Sequence, residues 1–328
     1  MEQSQVSLQV TGIISYEQEP SGALLSPDEK YLVTYRSTKI NIWEMPAFGA
    51  KGIILKTPSG IIHDLTFSPD GTILAAATDE GQVVMWSFPQ GERLRVLNGD
   101  LNKQGFFKNL FGYHHNQVAF SPDGKYLASL DNSARPLLWE TQNFALFTHL
   151  YDPVFDSEYN TMAFSPDSKM LVVAHGHTAV LYDVHLGIKI EDFGAIAESL
   201  AFHHSKKQIA VGYRDKITLF DPKAADAEFR TKKEDRIISI NNIVFSPDGN
   251  YLLAVGRSVS PSVRGRVLYG WSLLDGESVL HIPPETLANI SGDNNISAGA
   301  GIHIISRNKA LVVLKDPHRM VIIDLGLA

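Results

Sequence analysis

Five side chains with polar atoms to offer recur along this chain at similar spacing: His63, Asn116, Asn160, Glu198 and Asn241. Each stands four residues before the last apolar residue of a short apolar run, as do Ser21 and Gly301 in two further runs. Amide and carboxylate oxygens that converge on one axis make the donor set of a hard cation such as Ca²⁺, and a bound cation polarises a carbonyl oxygen. A single glutamate among neutral groups is thin charge for a divalent ion, and the same residues also suit polar walls that satisfy one another and water. A second constellation is Arg257, Arg264 and Arg266 on the Ser/Pro/Gly-rich stretch "GRSVSPSVRGR" (256–266), where a mobile loop of guanidinium groups would take a carboxylate or phosphate. Other catalytic signatures are missing. The chain has no glycine-rich phosphate loop, no His-Glu-x-x-His and no Gly-x-Ser-x-Gly. The pairs His114-His115 and His203-His204, and His175 with His177, fall where turns are expected.

What positions these residues is a repeated turn. "FSPDG" occurs at residues 67–71, 120–124 and 245–249. Pro69 presets φ for the second position of a type I turn, Asp70 tolerates the third, and Gly71 supplies the positive φ that returns a short hairpin to register. Leu65 and Phe67 before the turn, and Ile73 and Leu74 after it, describe two antiparallel strands. Weaker copies are "LLSPDEKYL", "MAFSPDSKML", "LAFHHSKKQIA" and "IHIISRNKALVVL". The turns begin at Ser26, Ser68, Ser121, Ser165, His203, Ser246 and Ser306, with gaps of 42, 53, 44, 38, 43 and 60 residues. A period near ~40–45 residues with four strands per unit is the pattern of propeller blades.

A second landmark follows every turn: "INIWEM", "VVMWSF", "PLLWET", "AVLYDV", "ITLFDP", "LYGWSL" and "MVIIDL". Trp43, Trp86, Trp139 and Trp271, all four tryptophans of the chain, occupy this one position, with Tyr182, Phe220 and Ile323 in the other units. These are third-strand residues expected to fill the wedge between neighbouring sheets, and are core rather than functional groups.

With both landmarks in place the chain resembles the WD-repeat (Trp-Asp repeat) family of seven-bladed β-propellers over essentially its whole length. "DLTFSPDGTILAAATDEGQVVMWSFPQGERLRVL" (64–97) follows that pattern most closely. The resemblance implies an all-β fold, a single domain over 1–328, and a protein-interaction scaffold or sensor without enzymatic activity or cofactor. The departures are consistent. The Trp-Asp pair becomes Trp-Glu, Trp-Ser, Tyr-Asp, Phe-Asp or Ile-Asp, no Gly-His dipeptide precedes the first strands, and Glu80 replaces an aspartate. The hydrogen-bonded network that braces each blade in that family is therefore expected to be missing. Some lactonase-type propellers hold a catalytic metal in the channel, so a hydrolase using Glu198 with Asn116, Asn160 and Asn241 is the rival reading; a small-ligand or glycan reader is another.

Composition fits an ordinary globular chain, with 44% hydrophobic and 20% charged residues. No apolar stretch of about 18 residues predicts a membrane span. "MEQSQVSLQV" lacks the basic start and apolar core of a signal peptide. Zero cysteines exclude disulfides and fit a cytoplasmic protein. The formal charge of −7 argues against a general nucleic-acid binder. The run "DAEFRTKKEDR" (226–236) is expected to be a solvated outer strand and link.

Two expectations concern the ring and its working face. The last unit lacks a fourth strand, whereas "QVSLQVTGII" near the N-terminus is left over, so this segment is expected to complete the last blade and close the ring. The long segments 98–115, 150–159, 256–266 and 281–301 fall on the rim opposite the SPDG turns. In the first of them Phe106, Phe107, Phe111 and Tyr113 cluster with Lys103, Lys108 and His114-His115, either as a partner-binding lip or as an apolar plug folded over the ring. The partner is expected to be a protein, bound by a monomer or by one module of a larger assembly.

Overall fold

In the computed structural model the described residues are 9–15, 20–45, 53–98, 117–130, 136–150, 160–175, 178–192, 197–206, 208–220, 227–231, 233–246, 248–260, 264–282, 301–306, 309–314 and 319–324. Apart from one 3-10 turn at Lys233–Asp235, every element among them is a β-strand.

Among the described residues the strands form seven four-stranded antiparallel sheets, each a simple up-and-down series. Strand β1 is Gln9–Ser15. Sheet 1 is β2 to β5: Gly22–Leu25, Tyr31–Arg36, Lys39–Glu44 and Ile53–Lys56. Sheet 2 is β6 to β9: Ile62–Phe67, Ile73–Thr78, Gln82–Ser87 and Arg93–Asn98. Sheet 3 is β10 to β13: Val118–Phe120, Tyr126–Leu130, Pro136–Glu140 and Ala145–His149. Sheet 4 is β14 to β17: Asn160–Phe164, Met170–His175, Thr178–Asp183 and Ile188–Asp192. Sheet 5 is β18 to β21: Ser199–Phe202, Ile209–Tyr213, Lys216–Phe220 and Ala227–Arg230. Sheet 6 is β22 to β25: Ile237–Phe245, Tyr251–Val259, Arg264–Ser272 and Ser278–Ile282. Sheet 7 takes β26 to β28 (Gly301–Ser306, Lys309–Leu314 and Arg319–Asp324) and adds β1, which pairs antiparallel with β28 from Gln9↔Asp324 to Ser15↔Arg319. The chain is thus an all-β β-propeller built from four-stranded antiparallel blades. It divides into two compact units, Leu24–Trp43 with Lys51–Ala197, and Met1–Ala23 with Glu44–Ala50 and Glu198–Ala328.

The turns form as their residue types dictate. Ser68 Oγ donates to Asp70 Oδ1 at 2.6 Å and accepts the Ile73 N–H at 2.9 Å, while Asp70 Oδ1 also takes the Thr72 N–H at 3.0 Å. The same serine-to-aspartate bond recurs at Ser26, Ser121, Ser165 and Ser246. Hydrogen bonds from Ser68 and Thr72 hold the Asp70 carboxyl below its usual pKa. Gly71, Gly124 and Gly249 adopt the positive φ that the turn needs. The turns also interlock in series. A Cβ on Gly71 would lie 3.5 Å from Pro27 of the preceding sheet, and one on Gly249 would lie 2.5 Å from His204.

Sheet 5 replaces Ser-Pro-Asp with His203, which does the same work with one ring. Its Nδ1 accepts the N–H groups of Ser205 and Lys206, both at 3.1 Å, so Nε2 carries the proton and donates to the Gly249 carbonyl at 3.0 Å. Burial pushes the His203 pKa down, which keeps this neutral tautomer.

Core clusters lie between sheets 1 and 2, 2 and 3, 3 and 4, and 5 and 6, where four of the landmark aromatics sit as expected, whereas Trp43 and Phe220 are half-buried. Trp86 packs with Val33, Ile40 and Ile42 of sheet 1, Trp139 with Ala75, Val83 and Met85 of sheet 2, Tyr182 with Ala128, Leu130 and Leu138 of sheet 3, and Trp271 with Ala210, Ile217 and Phe229 of sheet 5. In each of these four sheets the register between third and fourth strands shifts at the landmark residue, a bulge that sharpens the local twist. The expectation that bracing bonds are missing needs correction in two sheets. Trp139 Nε1 donates to Ser129 Oγ at 2.9 Å and Trp43 Nε1 to Thr34 Oγ1 at 3.2 Å, because a hydroxyl on the second strand faces the indole whatever residue follows it.

Candidate interaction surface

The first strands of neighbouring sheets are tied by side-chain acceptors, one residue off the positions that the sequence singles out. Asp64, not His63, reaches the next sheet: its Oδ2 accepts the Val118 N–H at 3.1 Å, and its Oδ1 accepts the Leu65 N–H at 2.9 Å. Gln117 repeats the device, with Oε1 accepting the Met162 N–H at 2.6 Å. His63 contributes its carbonyl, which accepts the Tyr35 hydroxyl at 2.9 Å. Asn116 lies outside the described residues, and of Asn160 only the place at the start of β14 is described.

Glu198 does reach the next sheet. Its Oε2 accepts the Ile240 N–H at 3.0 Å while the neighbouring Ser199 Oγ donates to the Ile240 carbonyl at 2.8 Å. Burial raises the pKa of both carboxyls, that of Asp64 to about 7, and the donated N–H groups only partly offset the cost of desolvation. These groups are engaged with backbone N–H donors of the next sheet. Among the described residues no group of three or more His, Asp or Glu side chains is placed to hold a metal ion. A charged residue inside an apolar first strand was the available signal for Asp64, since unpaired burial of a carboxylate is rare.

Asn241 is exposed on β22 and accepts a hydrogen bond from Ser239 Oγ at 3.3 Å. In the same sheet Arg257 and Arg266 are paired strand residues, which corrects the reading of this segment as a mobile turn: β23 and β24 stay in register to Val259↔Arg264. Nine consecutive pairs join β23 to β24, and on the other side Gly256 packs close to Ile237 of β22, where a Cβ would lie 2.9 Å from Ile237 Cγ2. Arg257 stands directly opposite Arg266 on one side and opposite Ser239 on the other. The structure thereby brings Asn241 and all three arginines onto one sheet. Arg264 begins β24. Phe106, Phe107, Phe111 and Tyr113 lie outside the described residues.

Sequence patterning missed Asp235 altogether, placing it in a solvated link. It is 1% exposed. Its Oδ2 takes the Tyr269 hydroxyl and lies 2.7 Å from His281 Nε2, while its backbone carbonyl accepts Ser258 Oγ–H. The rest of that run behaves as expected at Glu228, an exposed residue paired with Lys216 and Arg230.

Comparison with known proteins agrees with this architecture. Residues 52–87 match the family model described as WD domain, G-beta repeat. The chain is 33% identical over 113 residues to WD repeat and SOCS box-containing protein 1 of Takifugu rubripes, covering 33% of this chain and 23% of that protein. It is 24% identical over 140 residues to Protein LST8 homolog of Drosophila melanogaster, covering 42% of this chain and 43% of that protein. Protein HIR1 of Mycosarcoma maydis is 29% identical over 96 residues, covering 29% of this chain and 8% of that protein. Each alignment spans less than half of the relative's length. Residues 52–87, which include most of sheet 2, are thus similar to a WD-type repeat.

Proposed function

We propose that this WD-repeat chain is a non-enzymatic protein–protein interaction scaffold, its seven sheets forming the blades of one ring in a single domain. The pairing of β1 with β28 supports closure of that ring by the N-terminal strand, which removes an open edge. The observation that carries the functional reading is a division of labour among polar groups. Asp64, Gln117 and Glu198 hold neighbouring sheets together, whereas Arg257 is exposed on a sheet longer than the fold needs. The residues proposed to meet the partner are Arg257, Arg264 and Arg266 and, as a separate group, Phe106, Phe107, Phe111 and Tyr113. The proposed compartment is the cytoplasm, to be checked by imaging a tagged full-length chain.

Affinity capture from the native organism tests the scaffold reading. The intact chain should retain a stoichiometric protein partner, and Phe106→Ala with Phe107→Ala should weaken capture without moving the melting midpoint. If those changes instead cost the ~3–5 kcal/mol of a buried phenylalanine, the segment is a plug and not a lip. Failure to retain any partner, with metal-dependent hydrolysis of lactones or esters, would replace the scaffold by a hydrolase.

A further inference from the structure

Sheets 1 and 5 join their third and fourth strands in the same way at one end. The first residue of the third strand stands opposite the last of the fourth, Lys39↔Lys56 in sheet 1 and Lys216↔Arg230 in sheet 5. A threonine follows each pair, and its N–H donates to the carbonyl just before the first lysine. Thr57 bonds Thr38 and Thr231 bonds Asp215, both at 3.0 Å. Residues directly opposite in a ladder share a face, and like charges so placed destabilise the sheet.

Sheet 5 relieves that repulsion from within. Glu228 lies two residues before Arg230 and bridges both cations, with Oε1 3.0 Å from Lys216 Nζ and Oε2 2.9 Å from Arg230 Nη2. Sheet 1 carries Ile54 at the matching position, 59% exposed. Lys39 and Lys56 are exposed, and among the described residues neither has a carboxylate partner. The strand that bears Ile54 and Lys56 is nevertheless well anchored. Leu55 between them is buried in the cluster with Trp86, and a Cβ on Gly91 of sheet 2 would lie 2.7 Å from Leu55 Cδ2. As the last strand of its sheet, β5 has a neighbouring strand on one side only.

We propose that the β5 edge of sheet 1 docks an extended acidic segment of a partner protein. One Asp or Glu carboxylate of that segment lies between Lys39 and Lys56, as Glu228 lies between Lys216 and Arg230. The proposal rests on the scaffold reading and gives the chemistry of one partner surface. A strand added to an open edge gains main-chain hydrogen bonds, and its alternate side chains supply specificity. Because every second side chain shares a face, the carboxylate at Lys56 comes with an apolar residue two positions away, against Ile54.

The test is fluorescence anisotropy of a labelled synthetic peptide of Val-Thr-Glu-Thr repeats with the purified full-length chain. Binding should weaken as salt rises, and should fall at least about fivefold in Lys39→Ala/Lys56→Ala with an unchanged or higher melting midpoint. Ile54→Glu should lose binding to a similar degree while staying folded, because it supplies from within the carboxylate that Glu228 supplies in sheet 5. Equal binding by either variant, no binding by the native chain at low salt, or equal binding of a Val-Thr-Lys-Thr peptide would overturn the proposal. So would binding of phosphatidylserine vesicles where the peptide fails. In affinity capture, a partner retained equally by native and alanine-variant chains overturns this docking site and leaves the scaffold reading standing. A chain that captures no partner overturns the scaffold reading itself.

Discussion

The Asp64 carboxylate accepts the backbone N–H of Val118 at 3.1 Å, joining the first strands of two sheets across 54 positions of the chain. Burial raises its pKa from 3.8 to about 7, and the flanking strands β7 and β10 carry no titratable residue, so His63 is its titratable neighbour within β6. A carboxyl whose folded pKa lies above its unfolded value contributes stability that is complete below the unfolded value and lost as pH rises through the folded one. The chain should therefore be more stable near pH 5 than near pH 8 by about 2–3 kcal/mol from this group alone. Asp64→Asn should flatten that part of the profile. Urea titrations at the two pH values decide it, and a native profile as flat as the variant's removes Asp64 as the cause.

The turn serines carry a stability role that the repeats make testable. Ser121 is fully buried, donates to Asp123 Oδ1 at 2.7 Å and accepts the Tyr126 N–H at 2.9 Å. Ser121→Ala leaves that N–H unsatisfied and should cost about 1–2 kcal/mol by chemical denaturation. A neutral substitution would mean that the turn is held by its backbone bonds alone.

Asp235 and His281 lie 46 positions apart and 2.7 Å from each other. Asp235→Ala strips a buried acceptor from both Tyr269 and His281 and should cost about 3 kcal/mol. Unchanged stability would show that the knot is dispensable.

Removing residues 1–15 takes away every partner of β28 on one side. The truncated chain should melt earlier by several degrees and aggregate at lower concentration, since a four-stranded sheet becomes three-stranded with an open edge. Equal midpoints for the truncated and full-length chains would refute closure by β1.

Glu198 accepts the Ile240 N–H at 3.0 Å, and a single carboxylate so engaged is a poor start for a Ca²⁺ site. Sub-millimolar Ca²⁺ should leave the melting midpoint unmoved, and the purified chain should contain no stoichiometric metal. A Ca²⁺-dependent shift lost in Glu198→Gln would return the channel to consideration as an active site.

The repeated turns and the positions of the third-strand aromatics were legible in the sequence because their causes are local. Pro69 and Gly71 set dihedral angles within a few residues, and alternation around Leu65 and Phe67 has the period of a strand. The sequence by itself also determined that β1 had no partner among its chain neighbours, since the last unit is one strand short. Tertiary structure decided what adjacency along the chain cannot. A shift of one residue turns a side chain to the other face, and the side chains seen to accept across sheets are Asp64 and Gln117, each next to a position that the sequence singled out. Arg257 faces Arg266 through the pairing of β23 with β24, a relation between different strands that no periodicity records. Asp235 is buried because Tyr269 and His281 arrive from strands far along the chain to take its charge, and burial of a carboxylate is decided by its partners rather than by its neighbours in sequence.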